Sequence, residues 1–467
     1  MLDSSIIFAF LLVNLLIGYF SGKKISNFSE YSVWKRSFNS FALCATLTAS
    51  FVGGGYTLGN AAKVYQIGLI YAVGLLGFSL KEFLVAQFIA PKMQAYQDCH
   101  SVGDMMGKHY GRRIKIITGF FSVLICMGIL GAQVSAINAL FMTFFHFNAV
   151  AGIILGFGVI IVYASLGGMR SVVYTDVLQF LVLIVGLPLT FFLGLHYVGG
   201  WEQIAHVLPT HQLNPFADGK QIIMLFGLML TFMLGEVLVP PYVQRLFLAK
   251  THVTRRATSY AAVISAPIFI FTGATGLVAY VMNPHLDPNL AIPYVIQVAM
   301  PIGIKGLVIA SLLAVIMSSA AGFLNAAAIS FTNDIAMELF DKHAFSQKFL
   351  LNLVRAVAFV VGIGAIVFAL LIHNILDILI FAYSLWSPVI LVPLLAGLFG
   401  QKVNQGDFYF CASAGIITTL VWLIVLPEET LVSANVIGVF ASALMYVIKR
   451  LSIQKNRNPS SFNEASL

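Results

Sequence analysis

Apolar residues run along this chain in blocks of about 18 to 30, divided by short polar or charged turns, without the alternation that marks strands. A helix that crosses a bilayer needs about 20 mostly apolar residues. Blocks of that kind predict spans near residues 4–21, 40–62, 67–91, 114–144, 148–166, 171–195, 221–245, 257–282, 303–330, 348–372, 374–400, 407–426 and 431–448. That makes thirteen, in an all-α polytopic membrane fold. The division at His373-Asn374 is the finest, because two blocks nearly touch there.

Composition supports the pattern. Hydrophobic residues make up 59% of the 467 and charged residues 9%, against roughly 45–50% and about 25% in ordinary soluble domains. The mean hydropathy of +0.93 excludes a soluble enzyme and a disordered chain. The net charge of +8 raises the question of nucleic acid, but no basic stripe or RNA-binding signature is present. Topology accounts for it better. With the N-terminus outside and thirteen spans, all but four of the 26 basic residues fall on the cytoplasmic side. The exceptions are Lys63, Lys220 and Lys305 outside and Lys81 within a span; Arg245 is counted with the cytoplasmic loops. No basic residue precedes the first apolar block and Lys23-Lys24 follow it, as in a first spanning helix rather than a cleaved signal peptide. Cys44, Cys99, Cys126 and Cys411 avoid the outside loops and metal-ligand spacings, so free thiols are expected. The loop near 196–220 and the tail after Arg450 are too short to fold alone, which counts against a fused receptor or kinase module.

Two spans are interrupted. The second holds Gly53-Gly54-Gly55 after the polar run Thr46, Thr48 and Ser50; the seventh holds Gly235, Glu236 and then Pro240-Pro241. Interrupted helices in matching positions of two halves point to a transporter's midplane site, although Gly and Pro are also common in membrane helices generally. The breaks open two five-helix stretches, 40–220 and 221–400. Residues 1–39 supply a first helix and cytoplasmic loop, and 401–467 two further helices and a short tail. In the ninth span, Ser318 and Ser319 offer adjacent hydroxyls and the Val315 carbonyl lies on the same face. With carbonyls freed at the first break they could cage a small hard cation; small residues there also suit close helix packing.

Charges inside spans are functional hypotheses by default. Asp176 follows Arg170 and reads as an interfacial carboxylate facing the cytoplasm or as part of an ion exit. Lys81 and Glu82 stand about 100° apart on one helix, which predicts that they face different surfaces. Lys81 and Glu236 fit either buried ion pairs or the grip on the two ends of a zwitterionic solute. Other chemistry is thin. The chain has no HExxH or Walker A sequence, Gly103–Lys108 sits in an expected amphipathic loop, and no two histidines stand at ligand spacing within a span. Neither an enzyme nor a cofactor is expected.

Three segments resemble the sodium/solute symporter family. GGMRSVVYTDVLQ (Gly167–Gln179) is similar to the hallmark between its helices 5 and 6, PPYVQRLFLAK (Pro240–Lys250) to its seventh helix and following loop, and MSSAAGFLNAAAISFTNDI (Met317–Ile335) to its ninth. The resemblance runs over roughly residues 20–400. It implies a LeuT-type five-plus-five inverted-repeat core and a sodium site between helices 2 and 9. Carried over, the backbone oxygens of Cys44, Leu47 and Val315 and the hydroxyls of Ser318 and Ser319 bind sodium, with Asp176 near its exit. SFVGGGYTLGNAAKVY (Ser50–Tyr65) looks most like the high-affinity choline transporter branch. That branch has Trp where this chain has Phe51 and Val239, Tyr where it has Phe78, and neutral residues in place of Lys81-Glu82. A quaternary ammonium wants aromatic faces around it, so these departures favour an amino acid, carboxylate or zwitterion over a choline-like solute.

The expected function is therefore sodium-coupled import of a small organic solute by alternating access, the solute held near Ser50, Phe51, Gly53, Phe78, Lys81, Glu236 and Val239. A proton-coupled carrier and a transporter-derived sensor are the alternatives. Sodium, solute and membrane lipid are the expected partners, with no nucleic acid and no obligate protein. Short loops suggest a bacterial inner membrane, N-terminus outside and C-terminus cytoplasmic.

Overall fold

A chain with this much apolar surface can hide its backbone polar groups in lipid only by forming helices or closed barrels, and all the elements found are helical. The computed structural model describes residues 2–145, 148–340, 345–371, 375–425 and 432–457. The expected division at His373-Asn374 and the last ten residues of the tail lie outside them.

Among the described residues, nine helices are long and apolar enough to cross a membrane, and two bent pairs raise the number to eleven. The pairs are the two expected interruptions. Ser40–Phe51 and Gly55–Ile67 meet at 59°, and Gly219–Gly235 and Pro240–Leu246 at 64°. Thirteen crossings would further require the 49-residue helix Ala149–Tyr197 to count twice and Ile375–Leu398 to be added. The long helix measures about 73 Å at 1.5 Å per residue, more than twice the roughly 30 Å hydrocarbon layer. Gly168 breaks it (φ 52°, ψ −162°), between the expected spans 148–166 and 171–195. Only glycine fits that bend, because a Cβ would meet the Tyr31 carbonyl at 2.6 Å.

Local signals set the helix ends. Asn39 caps the first broken span by accepting from the Ala42 amide at 2.8 Å, and Asp218 caps the second through Gln221 at 2.8 Å. Residues 103–108 are helical rather than a loop, within Val102–Tyr110, capped by Ser101. Asp104 on that helix pairs with Lys115 at 2.7 Å.

Ile304–Ser330 forms the axis of the molecule, with nearly every side chain buried. It packs against Ala149–Tyr197, Arg112–Phe145 and the first broken span. Small residues permit this: a Cβ on Gly186 would stand 2.4 Å from the Ser311 hydroxyl. Outer helices turn large apolar side chains outward, such as Phe8, Val150, Phe226 and Ile424. The chain is an integral membrane protein, and Lys81, Glu82, Asp176, Glu236 and Arg245 are among its buried charges.

Candidate functional site

Each break frees backbone groups that a continuous helix would satisfy, and the sequence supplies partners. After Val52 (ψ 39°) the first broken span leaves helical geometry. The Gly54 amide then donates to Gln133 Oε1 at 2.9 Å. A Cβ on Gly53 would lie 2.7 Å from the Ser319 hydroxyl, so glycine lets the break and the axial helix touch. At the second break Leu238 takes φ 53°, a left-handed conformation costly for a non-glycine residue. Trp386 Nε1 donates to the Val237 carbonyl at 3.3 Å, and Pro240 restarts the helix where no amide donor is needed.

Two buried charge clusters meet these breaks. In the first, Asp176 is fully buried and paired with Arg245, Nη2 to Oδ2 at 3.2 Å. Ser318 donates to Asp176 Oδ1 at 2.6 Å. Thr46 donates to Oδ2, and Ser50 stands 3.3 Å from the same oxygen and 3.1 Å from the Ser318 hydroxyl. Arg245 is satisfied on three sides: Nε donates to Thr46 Oγ1 (3.0 Å), Nη1 to the Pro241 carbonyl (3.0 Å), and Nη2 to Ser50. Gly322 makes room for it, since a Cβ there would approach Nη2 to 2.7 Å. One carboxylate faces one guanidinium inside a shell of hydroxyls, joining both broken spans, the axial helix and the kinked helix.

The second cluster is aromatic. Lys81 Nζ sits 3.5 Å from the Phe78 ring centroid, 5.3 Å from that of Tyr242 and 5.4 Å from that of Phe51. It pairs with Glu82 Oε1 at 2.6 Å and approaches the Glu236 backbone carbonyl at 3.4 Å. The Glu236 carboxyl is held separately. Tyr56 donates to its Oε2 at 2.7 Å and Tyr383 at 3.2 Å, with the two phenols in contact. This cluster holds one ammonium paired with one carboxylate and a second carboxyl group bound by phenols, all nearly sealed from solvent.

Several sequence expectations are rearranged. Asp176, expected either at the cytoplasmic interface or in an ion exit, is buried at the centre of the first cluster. Arg245, counted as a loop cation, is its partner. Lys81 and Glu82 do not diverge: the flexible lysine stem swings the ammonium back to its neighbour. Ser50, expected near the solute, contacts Asp176 and Ser318, and Gly53 faces Ser319. Phe51, Phe78, Lys81 and Glu236 do come together. Val239 is buried immediately before Pro240–Leu246. Cys44, Leu47 and Val315 are buried on the first broken span and the facing axial helix. Sequence reasoning missed Gln133, Tyr56, Tyr383 and Tyr242 as neighbours of the breaks. A polar or phenolic residue recurring inside otherwise apolar blocks was the available signal. The four cysteines are free and buried.

Comparison with known proteins follows this geometry. The sequence profile described as the sodium:solute symporter family matches residues 31–448. "High-affinity choline transporter 1" of Drosophila melanogaster is 27% identical over 82% of this chain and 63% of its own length. The osmoregulated proline transporter OpuE of Bacillus subtilis is 24% identical over 88% of this chain and 86% of its own. Among solved structures, a Na+-coupled sialic acid symporter in a substrate-bound, outward-open state superposes with TM-score 0.83. That structure covers 96% of this chain and 97% of its own at 21% identity. The chain shares that symporter's LeuT-type fold.

Proposed function

Because the chain belongs to the sodium:solute symporter family, we propose that it imports a small organic solute, driven by sodium, through alternating access. The observation that carries this reading is the buried, hydroxyl-lined contact between Ser318 and Asp176 at 2.6 Å, where both broken spans meet the axial helix. A hydroxyl that donates its proton to a carboxylate turns its lone pairs toward any cation beside it. Ser318 and Ser319 supply such oxygens, and the carbonyls of Cys44, Leu47 and Val315 complete an oxygen site suited to sodium. Asp176 adds a negative charge next to that site and attracts the ion as it leaves. Sodium held there ties the first broken span to the axial helix and fixes one orientation of the break. Inward movement of one sodium gains about 2.3 kcal/mol per 100 mV of inside-negative potential.

The solute binds at the second cluster, between the breaks, near Phe51, Phe78, Lys81 and Glu236. Amino acids, carboxylates and zwitterions fit a site with both an ammonium and carboxyl groups. Residues 40–220 and 221–400 form the two repeats that rock against each other. The N-terminus faces outside, the C-terminus the cytoplasm, in a bacterial inner membrane.

One observation favours a second reading. Lys81 is taken by Glu82, so Glu236 has two phenols but no cation bonded to its own carboxyl. A proton on Glu236 would balance the cluster, and coupling to protons would follow.

The test is uptake into proteoliposomes of choline, proline, other amino acids and short carboxylates. The inward gradient is sodium, potassium or protons in turn. Sodium-dependent accumulation of one compound supports symport and identifies the solute class. Accumulation that follows the pH gradient and ignores the exchange of potassium for sodium overturns sodium coupling in favour of Glu236.

A further inference from the structure

Lys81 is a cation lodged where a ligand cation would sit. Its ammonium lies against Phe78 from its own helix, Phe51 from the first broken span and Tyr242 from the second. The rings touch one another, Phe51 to Phe78 at 5.4 Å and Phe51 to Tyr242 at 5.0 Å between centroids. A carboxylate closes the enclosure at 2.6 Å, and a carbonyl freed by the second break lies at 3.4 Å. Aromatic faces with a nearby anion are how proteins recognise alkylated ammonium groups. The lysine side chain is 2% exposed, so its ammonium is held inside the enclosure.

We propose that Lys81 is a tethered occupant of a cation cage: it excludes quaternary ammonium solutes from the midplane, and its removal creates a site for one. The consequence for selectivity rests on this cluster being the solute site; the cage itself does not. Solutes with a permanent positive charge are then rejected by a filled site, not by a missing one. Truncating the lysine leaves three rings and the Glu82 carboxylate around a void left by an alkylammonium chain.

The experiment is equilibrium binding of radiolabelled choline and of tetramethylammonium to detergent-purified protein without any ion gradient. Wild type, Lys81→Ala and Lys81→Ala/Glu82→Gln are compared, each checked for a monodisperse elution profile. Lys81→Ala should bind at least about tenfold more tightly than wild type, and the double variant should fall between them because the rings remain but the anion is gone. The double variant also removes the buried unpaired carboxylate, which guards against a single variant that fails to fold. Choline binding by wild type equal to that of a folded variant overturns the proposal, as does a folded Lys81→Ala that gains none. Should the variants not fold, wild-type binding decides alone: measurable quaternary ammonium binding overturns a filled cage, and none supports it. Binding needs no transport, so failed sodium-driven uptake with a gain of choline binding sinks the symport reading only. The reverse result sinks the cage only.

Discussion

The two buried charge clusters lie one residue apart on the first broken span, at Ser50 and Phe51, and are built on opposite principles. Around Asp176 the charges match one to one, and the remaining partners are short, rigid hydroxyls from Thr46, Ser50 and Ser318. Around Lys81 the charges do not match, and the walls are rings. Small hard oxygens suit a small hard ion; polarizable faces suit an organic one. The difference teaches how one break can meet two environments: consecutive residues on a helix project about 100° apart, so adjacent positions open onto separate chemistries.

The comparison breaks most sharply at the ion pair. Asp176→Asn or Arg245→Gln leaves its partner buried and unpaired, which typically costs about 3–5 kcal/mol. Each single variant should lose most of its thermal stability in detergent, and the neutral double variant should recover much of it. Singles no worse than the double would mean that the pair is not coupled. Next in size, Ser318→Ala with Ser319→Ala removes both hydroxyls of the proposed sodium site and, with Ser318, a bond to Asp176 of about 1.5–3 kcal/mol. Sodium stimulation of uptake should vanish while the protein stays folded; retained stimulation places the ion elsewhere. Tyr383→Phe removes one charge-assisted bond to Glu236, about 1.5–3 kcal/mol, and should weaken solute binding without changing the sodium requirement. A shift in sodium affinity instead would merge the two clusters into one. The smallest effect is expected from Gln133→Leu, which leaves the Gly54 amide without its acceptor at about 1–3 kcal/mol. A lowered unfolding midpoint with solute and sodium affinities nearly intact would show Gln133 acting on the break alone.

Much of this architecture was legible in the sequence. The runs of small residues and prolines at 53–55 and 235–241 located both bends, because glycine and proline act on the backbone where they stand. The serines at 318 and 319 stood out by their adjacent hydroxyls, and the structure places Ser318 against Asp176. Charges were harder to place. Arg245 looks like a loop cation because the rule that orients membrane proteins counts basic residues at span ends, yet this one turns inward against Gly322. Lys81 and Glu82 were separated by their helical angle, which describes where a side chain starts; four methylenes decide where an ammonium ends. Ser50 and Phe51 both reach Pro240–Leu246, but Ser50 meets Arg245 there and Asp176 and Ser318 beyond, whereas Phe51 meets Tyr242 and Phe78, a divergence that proximity in sequence does not show.

The buried thiols have a practical meaning. Cys99, Cys126 and Cys411 are enclosed by packing, whereas Cys44 sits on the broken span beside the proposed sodium oxygens, its sulfur 4.0 Å from the Thr48 hydroxyl. On the proposed transport cycle, a first break that opens to water would expose Cys44 beside those oxygens to a small maleimide. Its labelling rate would then be a clock for the open state, readable without removing a single natural cysteine.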